Sequence, residues 1–293
     1  MRLFHRGPNK KTMANTSPFY KIEKKPEPVE EKPVKLDEKK PEPVVGAAKK
    51  EPEKPVVKIE KPRPNYGKVV VYTCVTGGYD ELRVPVKTDG VDYVCFTDNT
   101  GMTANGWSLR PIPEGLEGLT NVKKQRMVKV LPHRYLPDYD MSIWVDGSVE
   151  VKANVIDFLS GILEDGRSIY IPEHPARKCI YSECDVVKKI KKDTTDLPDK
   201  QMKKYRGEGF PKDYGLVQSN IMARRHNDKE CIRVMEAWAA EIREFSHRDQ
   251  LSFNYALWKT NASCFKYLDK KTCNSKYFFW NPRHGKIKAS KKK

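Results

Sequence analysis

The chain has 293 residues, with 56 Lys and Arg against 39 Asp and Glu, a net charge of +17 and 38% hydrophobic residues. No stretch approaches the ~18 consecutive apolar residues of a membrane-spanning helix, and the basic start Met1-Arg2-Leu3-Phe4-His5-Arg6 is not followed by the apolar core of a signal peptide. The charge divides into +7 over residues 1–67 and +10 over the rest; a basic domain attracts phosphate-bearing small molecules and anionic glycans as readily as nucleic acid.

From Lys21 to Pro64 the chain is built almost only of Lys, Glu, Pro and Val, and nine of its 21 prolines fall there. Proline removes backbone donors, and so little apolar surface does not offset the entropy of ordering. The expectation is a disordered, extended tail over 1–66 whose charge gives at most weak attachment to anionic surfaces. One domain over 67–286 and a short basic tail over 287–293 follow. The seven cysteines are odd in number, and Cys74 and Cys95 sit inside expected core strands. That usage predicts unpaired thiols acting as small hydrophobes in a reducing compartment, hence a cytoplasmic protein.

In chain order, strands are expected at Lys68–Thr73 and Tyr93–Thr97, then a polar, Gly-rich stretch to Gly118. Asn121–Leu131 reads as a helix closed by Pro132. A strand at Ser142–Val145, a helix around Val155–Leu163 and a strand at Ser168–Ile171 come next. The basic stretch from Lys188 to Gly209 reads as an exposed loop with helical pieces. Asn220–Ala223 reads as a buried strand. Asn227–Phe245 is the clearest helix: Cys231, Val234, Met235, Trp238, Ala239 and Ile242 form one apolar face, with Asn227 as cap and Glu230 in capping-box position. A second amphipathic segment covers Asp249–Trp258. Alternating strands and helices predict an α/β fold with a mostly parallel sheet covered by helices on both faces.

Three apolar runs end in small or acidic residues: Val69–Thr73 before Thr76-Gly77-Gly78-Tyr79, Tyr93–Thr97 before Asp98, and Ser142–Val145 before Asp146-Gly147. An open α/β sheet holds a nucleotide at such a carboxyl edge. Asp146 is a candidate ligand for the metal that often neutralises a departing diphosphate, or else a turn residue before Gly147. Trp144 stands where the first carboxylate of an Asp-x-Asp pair would be. Lys123, Arg126 and Lys129 make a basic stripe along one helix that faces either a diphosphate or water. Asp249, in Arg248-Asp249-Gln250, is either a helix cap or the group that holds an acceptor hydroxyl. His284 and Lys286, in one late loop, are candidates for a metal shell and a phosphate contact.

Tyr72-Thr73-x-x-Thr76-Gly77-Gly78-Tyr79-Asp80, Phe96-Thr97-Asp98, Ile143-Trp144-Val145-Asp146-Gly147 and Arg248-Asp249-Gln250-Leu251-Ser252 occur in this order. The combination resembles a glycosyltransferase-like family long catalogued as a domain of unknown function, with plant Golgi members linked to cell-wall and mucilage polysaccharides and with bacterial relatives. The resemblance covers about residues 68–286. It implies a single Rossmann-like GT-A domain, distantly similar to the glycogenin-type transferases of family eight. It also implies that Thr76 and Tyr79 line the nucleotide pocket, that Asp98 meets base or ribose, and that Asp146 stands in for the second Asp of the metal motif. Asp249 and Gln250 would lie by the acceptor, with His284 and Lys286 matching a late loop of the His-Gly-x-Lys type.

The resulting expectation is a glycosyltransferase. It would move a hexosyl or pentosyl group from a nucleoside diphosphate sugar, UDP-linked, to a glycan or glycoprotein hydroxyl with a divalent metal, Mn2+ or Mg2+. Metal-independent transfer stays open because the first Asp is replaced. The alternatives are a non-catalytic GT-A module that binds a glycan or partner, and a basic nucleic-acid-binding protein, for which no helix-turn-helix, zinc-finger or RNA-recognition signature is present.

Overall fold

A computed structural model describes residues 66–281. The expected tail up to residue 65, the basic tail over 287–293, and the candidates His284 and Lys286 lie outside the described residues.

The chain begins with β1 (Val69–Val75), β2 (Val91–Thr97) and β3 (Ser108–Pro111), which pair side by side and parallel. β1 is buried along its whole length. Val70, Tyr72 and Cys74 enter one core layer and Val69, Val71 and Val75 the other. That two-sided burial is why the sequence shows an unbroken apolar run instead of alternation. Helix α1 (Asn121–Val130), capped by the Thr120 hydroxyl, and the short α2 (Pro132–Tyr135) lead to β4 (Met141–Val145), which pairs parallel with β1 on the side away from β2. The chain therefore reverses its direction of growth between β1 and β4.

After β4 come β5 (Val149–Val151), α3 (Val155–Ser160), β6 (Ile169–Pro172), α4 (Ile180–Lys189), α5 (Leu197–Gly207) and β7 (Ile221–Arg224). The last elements are α6 (Lys229–Glu244), α7 (Phe253–Lys259), β8 (Phe265–Leu268) and β9 (Phe278–Trp280). The main sheet has the order β3-β2-β1-β4-β7-β6-β8, and β5 pairs with β9 in a separate ribbon. The sheet is mostly parallel, as expected, with β7 antiparallel to both its neighbours. One face lies under α1, α6 and α7; the other lies under α3 and the β5–β9 ribbon.

Several local expectations need correction. The Lys188–Gly209 region holds the regular helix α5, whose Met202 and Tyr205 are buried in a third cluster with α4 and α7, with Gln201 buried beside them. Its exposed face carries the lysines that mask the pattern. Asp228, not Asn227, caps α6, accepting from the Glu230 and Cys231 amides. Asn227 instead donates to the Pro137 and Tyr139 carbonyls, and Glu230 accepts from Ser263, so no capping box forms. The segment Asp249–Trp258 splits into a single 3-10 turn, Asp249–Leu251, and α7. All seven cysteines are buried free thiols.

Candidate functional site

Because β6 and β8 run parallel to β1 and β4, the residues that follow all these strands meet at one edge of the sheet. β7 runs the other way, so the residues that precede it, Ser219 and Asn220, arrive at this edge too. In open α/β sheets, ligands bind outside the carboxyl ends at the point where the strand order reverses. Here that point lies between β1 and β4, flanked by Thr76-Gly77 and Asp146.

Asp146 opens a tight turn in which its carbonyl accepts from the Val149 amide at 2.8 Å, and its own amide is held by Asn220 O at 2.9 Å. Its Oδ1 accepts two bonds, from the Trp144 indole at 2.8 Å and from Lys129 Nζ at 3.2 Å. Oδ2 has no partner among the described residues, and the side chain is 24% exposed. The carboxylate is thus anchored from behind through one oxygen and open through the other.

Lys129 is the hub. α1 packs on the sheet face that holds Trp144, and Lys129 lies on its buried side, only 1% exposed. The ammonium reaches Asp249 Oδ2 at 2.6 Å, Asp146 Oδ1 at 3.2 Å and Ser219 Oγ at 3.2 Å, and lies 5.5 Å from the centre of the Trp144 ring. Of the predicted basic stripe, Lys129 and Arg126 turn inward to this cluster, while Lys123 donates to the Arg243 carbonyl instead. Arg126 Nε lies 3.6 Å from Asp249 Oδ1 and donates to the His247 carbonyl.

Asp249 is 3% exposed. Ser219 donates to its Oδ2 at 2.9 Å and the Gln250 amide to its Oδ1 at 3.2 Å. Burial pushes its pKa up, but Arg126, Lys129 and Arg248 outweigh burial and hold the carboxyl well below the usual range. Both oxygens of this carboxylate therefore have donors, and through Oδ2 it fixes the Lys129 ammonium. Gln250 donates from Nε2 to the Val217 carbonyl at 2.9 Å.

A second group of candidates gathers beyond β1 and β2. Thr76 is buried and donates to the Asn121 carbonyl at 3.0 Å, which ties the end of β1 to the start of α1. Gly77, at φ +64°, donates its amide to Asp98 Oδ2 at 2.8 Å. Tyr79 is 60% exposed on the same loop. The turn residue Gly147 lies against this loop: a Cβ built on it would sit 3.1 Å from Asp80 Oδ2 and 3.5 Å from Val75 Cγ2. The two groups therefore share one edge, joined through Gly147.

Three contributors were not among the sequence candidates. Ser219 was hidden because the reversal of β7 leaves no local signal. Trp144 was noted only as the replacement for a carboxylate, although a Trp two residues from an Asp on one strand shares its face. Arg248 stands in the quoted tripeptide beside Asp249, and that adjacency is the signal that marks it. Among the described residues no group of three His, Cys, Asp or Glu is disposed to hold a metal ion, and no helix is long and apolar enough to cross a membrane.

The fold is an open α/β sheet with a charged cluster at its β1/β4 switch point, and comparison with known proteins gives its family. The sequence profile of the TOD1/MUCI70 glycosyltransferase-like domain matches residues 119–284, more than half of the chain, and the chain belongs to that family. A probable hexosyltransferase of Arabidopsis thaliana, MUCI70, is 24% identical over 237 residues, which is 69% of this chain and 40% of that protein. The chain thus spans about two fifths of the length of this relative. The solved apo structure of the bifunctional glycosyltransferase WbbM aligns with 69% of this chain and 39% of its own, at 12% identity and a TM-score of 0.40.

Proposed function

We propose that this protein is a glycosyltransferase that moves a sugar from a nucleoside diphosphate donor, UDP-linked, to a hydroxyl of a glycan or glycoprotein. The observation that carries the reading is the open Asp146 Oδ2 at the β1/β4 switch point, with Lys129 and Arg126 behind it. Cleavage of a donor's sugar–phosphate bond leaves negative charge on the diphosphate. Preorganised cations and N–H groups aimed at that charge lower the barrier. The Gly77–Asp98 loop pair, with Tyr79 beside it, takes the nucleoside. Asp249 and Ser219 hold Lys129 in place. Gln250 braces the backbone before β7.

A divalent ion, manganese or magnesium, belongs to this proposal with Asp146 as its ligand and His284 as the further candidate. Asp146 offers a single open oxygen and already has an ammonium on the other. The described residues alone therefore do not make up a metal shell, and no step is derived through the ion.

The test is a thermal-shift panel of nucleotide sugars, with manganese and with EDTA, followed by an assay for released nucleoside diphosphate. One selective donor that raises the melting temperature and is turned over supports the reading. A donor bound tightly but never turned over points to the non-catalytic module. Binding of none refutes the proposal.

A further inference from the structure

The carboxylates near the switch point are already committed. Asp249 is held by Lys129 and Ser219, Asp146 by Lys129 and Trp144, and the buried Glu183 by Arg177. Arg248 stands among them. Its backbone is fixed: the amide donates to Ser246 Oγ at 3.1 Å, and its carbonyl accepts from the Leu251 amide at 2.9 Å. Its guanidinium makes no hydrogen bond and no ion pair with any described residue, and its Nε is buried without a partner. Burial, and after it the charge of Arg126, press its pKa below the ordinary arginine value, while Asp249, Glu183 and Asp146 act from a distance in the opposite direction.

A half-buried guanidinium with five donors and no acceptor is unfavourable in a finished structure. It becomes favourable when an anion arrives that accepts two parallel N–H bonds. Lys129, Arg126, Arg248 and Arg177 face Asp146, Asp249 and Glu183, so the cluster carries one positive charge in excess. The surplus sits on Arg248.

We infer that Arg248 is the side chain that grips the diphosphate of the donor. The inference rests on the donor reading proposed above. It adds a ligand-contacting residue and divides the basic residues into two kinds. Lys129 shapes the site from beneath, neutralised by two aspartates, whereas Arg248 is free to meet substrate.

The test is calorimetric titration of the full chain with uridine diphosphate, guanosine diphosphate and inorganic pyrophosphate, comparing the natural protein with Arg248→Gln and Arg248→Lys. The natural protein should bind at least one nucleoside diphosphate. Arg248→Gln should weaken that binding by about tenfold or more and lose pyrophosphate binding. Arg248→Lys, which keeps charge but not the planar fork, should fall between. Without ligand, the melting temperature of Arg248→Gln should match or exceed that of the natural protein, because a cation without a partner is removed. A variant that binds the diphosphate as the natural protein does overturns the role of Arg248 and leaves the donor reading standing. If the natural protein binds no nucleoside diphosphate, the donor reading falls and this inference with it. A marked drop in the unliganded melting temperature of Arg248→Gln overturns the inference in favour of a structural role, unless Arg248→Lys keeps the natural melting temperature and still binds the diphosphate more weakly.

Discussion

Replacing Lys129 by Met tests the centre of the site. The methionine has nearly the length of the lysine stem but leaves Asp249 without its 2.6 Å partner, and Asp249 is 3% exposed. Breaking a buried ion pair from one side costs about 3–5 kcal/mol, because the remaining charge stays buried. Asp249 keeps Ser219 Oγ at 2.9 Å and Arg126 at 3.6 Å, and Asp146, 24% exposed, is left partly to water. The lower end, about 3 kcal/mol, is therefore expected. For a domain of this size that is a fall of about 6–12 °C in melting temperature. Urea unfolding followed by tryptophan fluorescence is the assay, since Trp144 lies 5.5 Å from the ammonium. Adding Asp249→Asn to Lys129→Met removes the stranded charge and should recover most of the loss. The pH dependence has a definite sign. Asp249 has a folded pKa below its unfolded value, so its contribution is present above the unfolded value and is lost as pH falls through the folded one. Without Lys129 the folded value rises, and acid unfolding of the single variant should begin at higher pH. A single variant as stable as the natural protein, or a double variant worse than both singles combined, would refute the idea of Lys129 as a charge-neutralised hub.

Asp146→Asn keeps an oxygen for the Trp144 indole and Lys129 but removes the charge, so stability should change by less than about 1 kcal/mol while turnover falls about 100-fold or more; unchanged transfer would remove Asp146 from the reaction. Gly77→Ala forces a side chain into the left-handed region and places its Cβ 2.9 Å from Asn121 Nδ2. It should cost about 1–2 kcal/mol and weaken nucleoside binding by releasing Asp98; an equal affinity would show that the Gly77–Asp98 link is not part of the pocket. His226 is fully buried, and burial above all lowers its pKa to about 4. The unfolded chain takes up that proton first, near pH 6.5, so about 3 kcal/mol present at neutral pH is lost as pH falls from there through 4. His226→Gln, able to donate to the Leu136 carbonyl as Nε2 does, should give a shallower loss of stability over that interval in urea titrations; an identical slope would refute it.

The sequence made the edge legible because strand ends carry it. Thr76, Asp98 and Asp146 each follow an apolar run, and a run buried on both faces is the pattern of a parallel strand. Arg126 and Lys129 were legible as a stripe but not in their direction, since a basic stripe on a short helix looks the same whether it meets water or a pair of aspartates. Asp249 was placed near the site by the tripeptide motif, yet its saturation by Lys129, Ser219 and Arg126 depends on the direction of β7. No residue within Ile221–Arg224 signals that direction. The reversal follows from the connections: α5 and the loop after it deliver the chain to the carboxyl edge, where β7 must begin. In the same way α5 was obscured because its polar face is rich in lysine and its buried side is carried by only Pro198, Gln201, Met202 and Tyr205.

Trp144 explains how the site dispenses with a second carboxylate. Positions 144 and 146 lie on the same side of their strand, and at 144 that side is the core beneath α1, where the indole meets Tyr72 edge-on at 5.1 Å and is fully buried. A carboxylate there would need its own buried partner or would remain protonated. The tryptophan fills the volume and spends its one polar group on Asp146 Oδ1. Lys129 takes the same oxygen from the helix above. Two donors on one oxygen fix the plane of the carboxylate, so its free oxygen has a defined place at the switch point. They also leave the neighbourhood more positive than a pair of aspartates would, and on the donor reading that positive field is what a departing diphosphate requires.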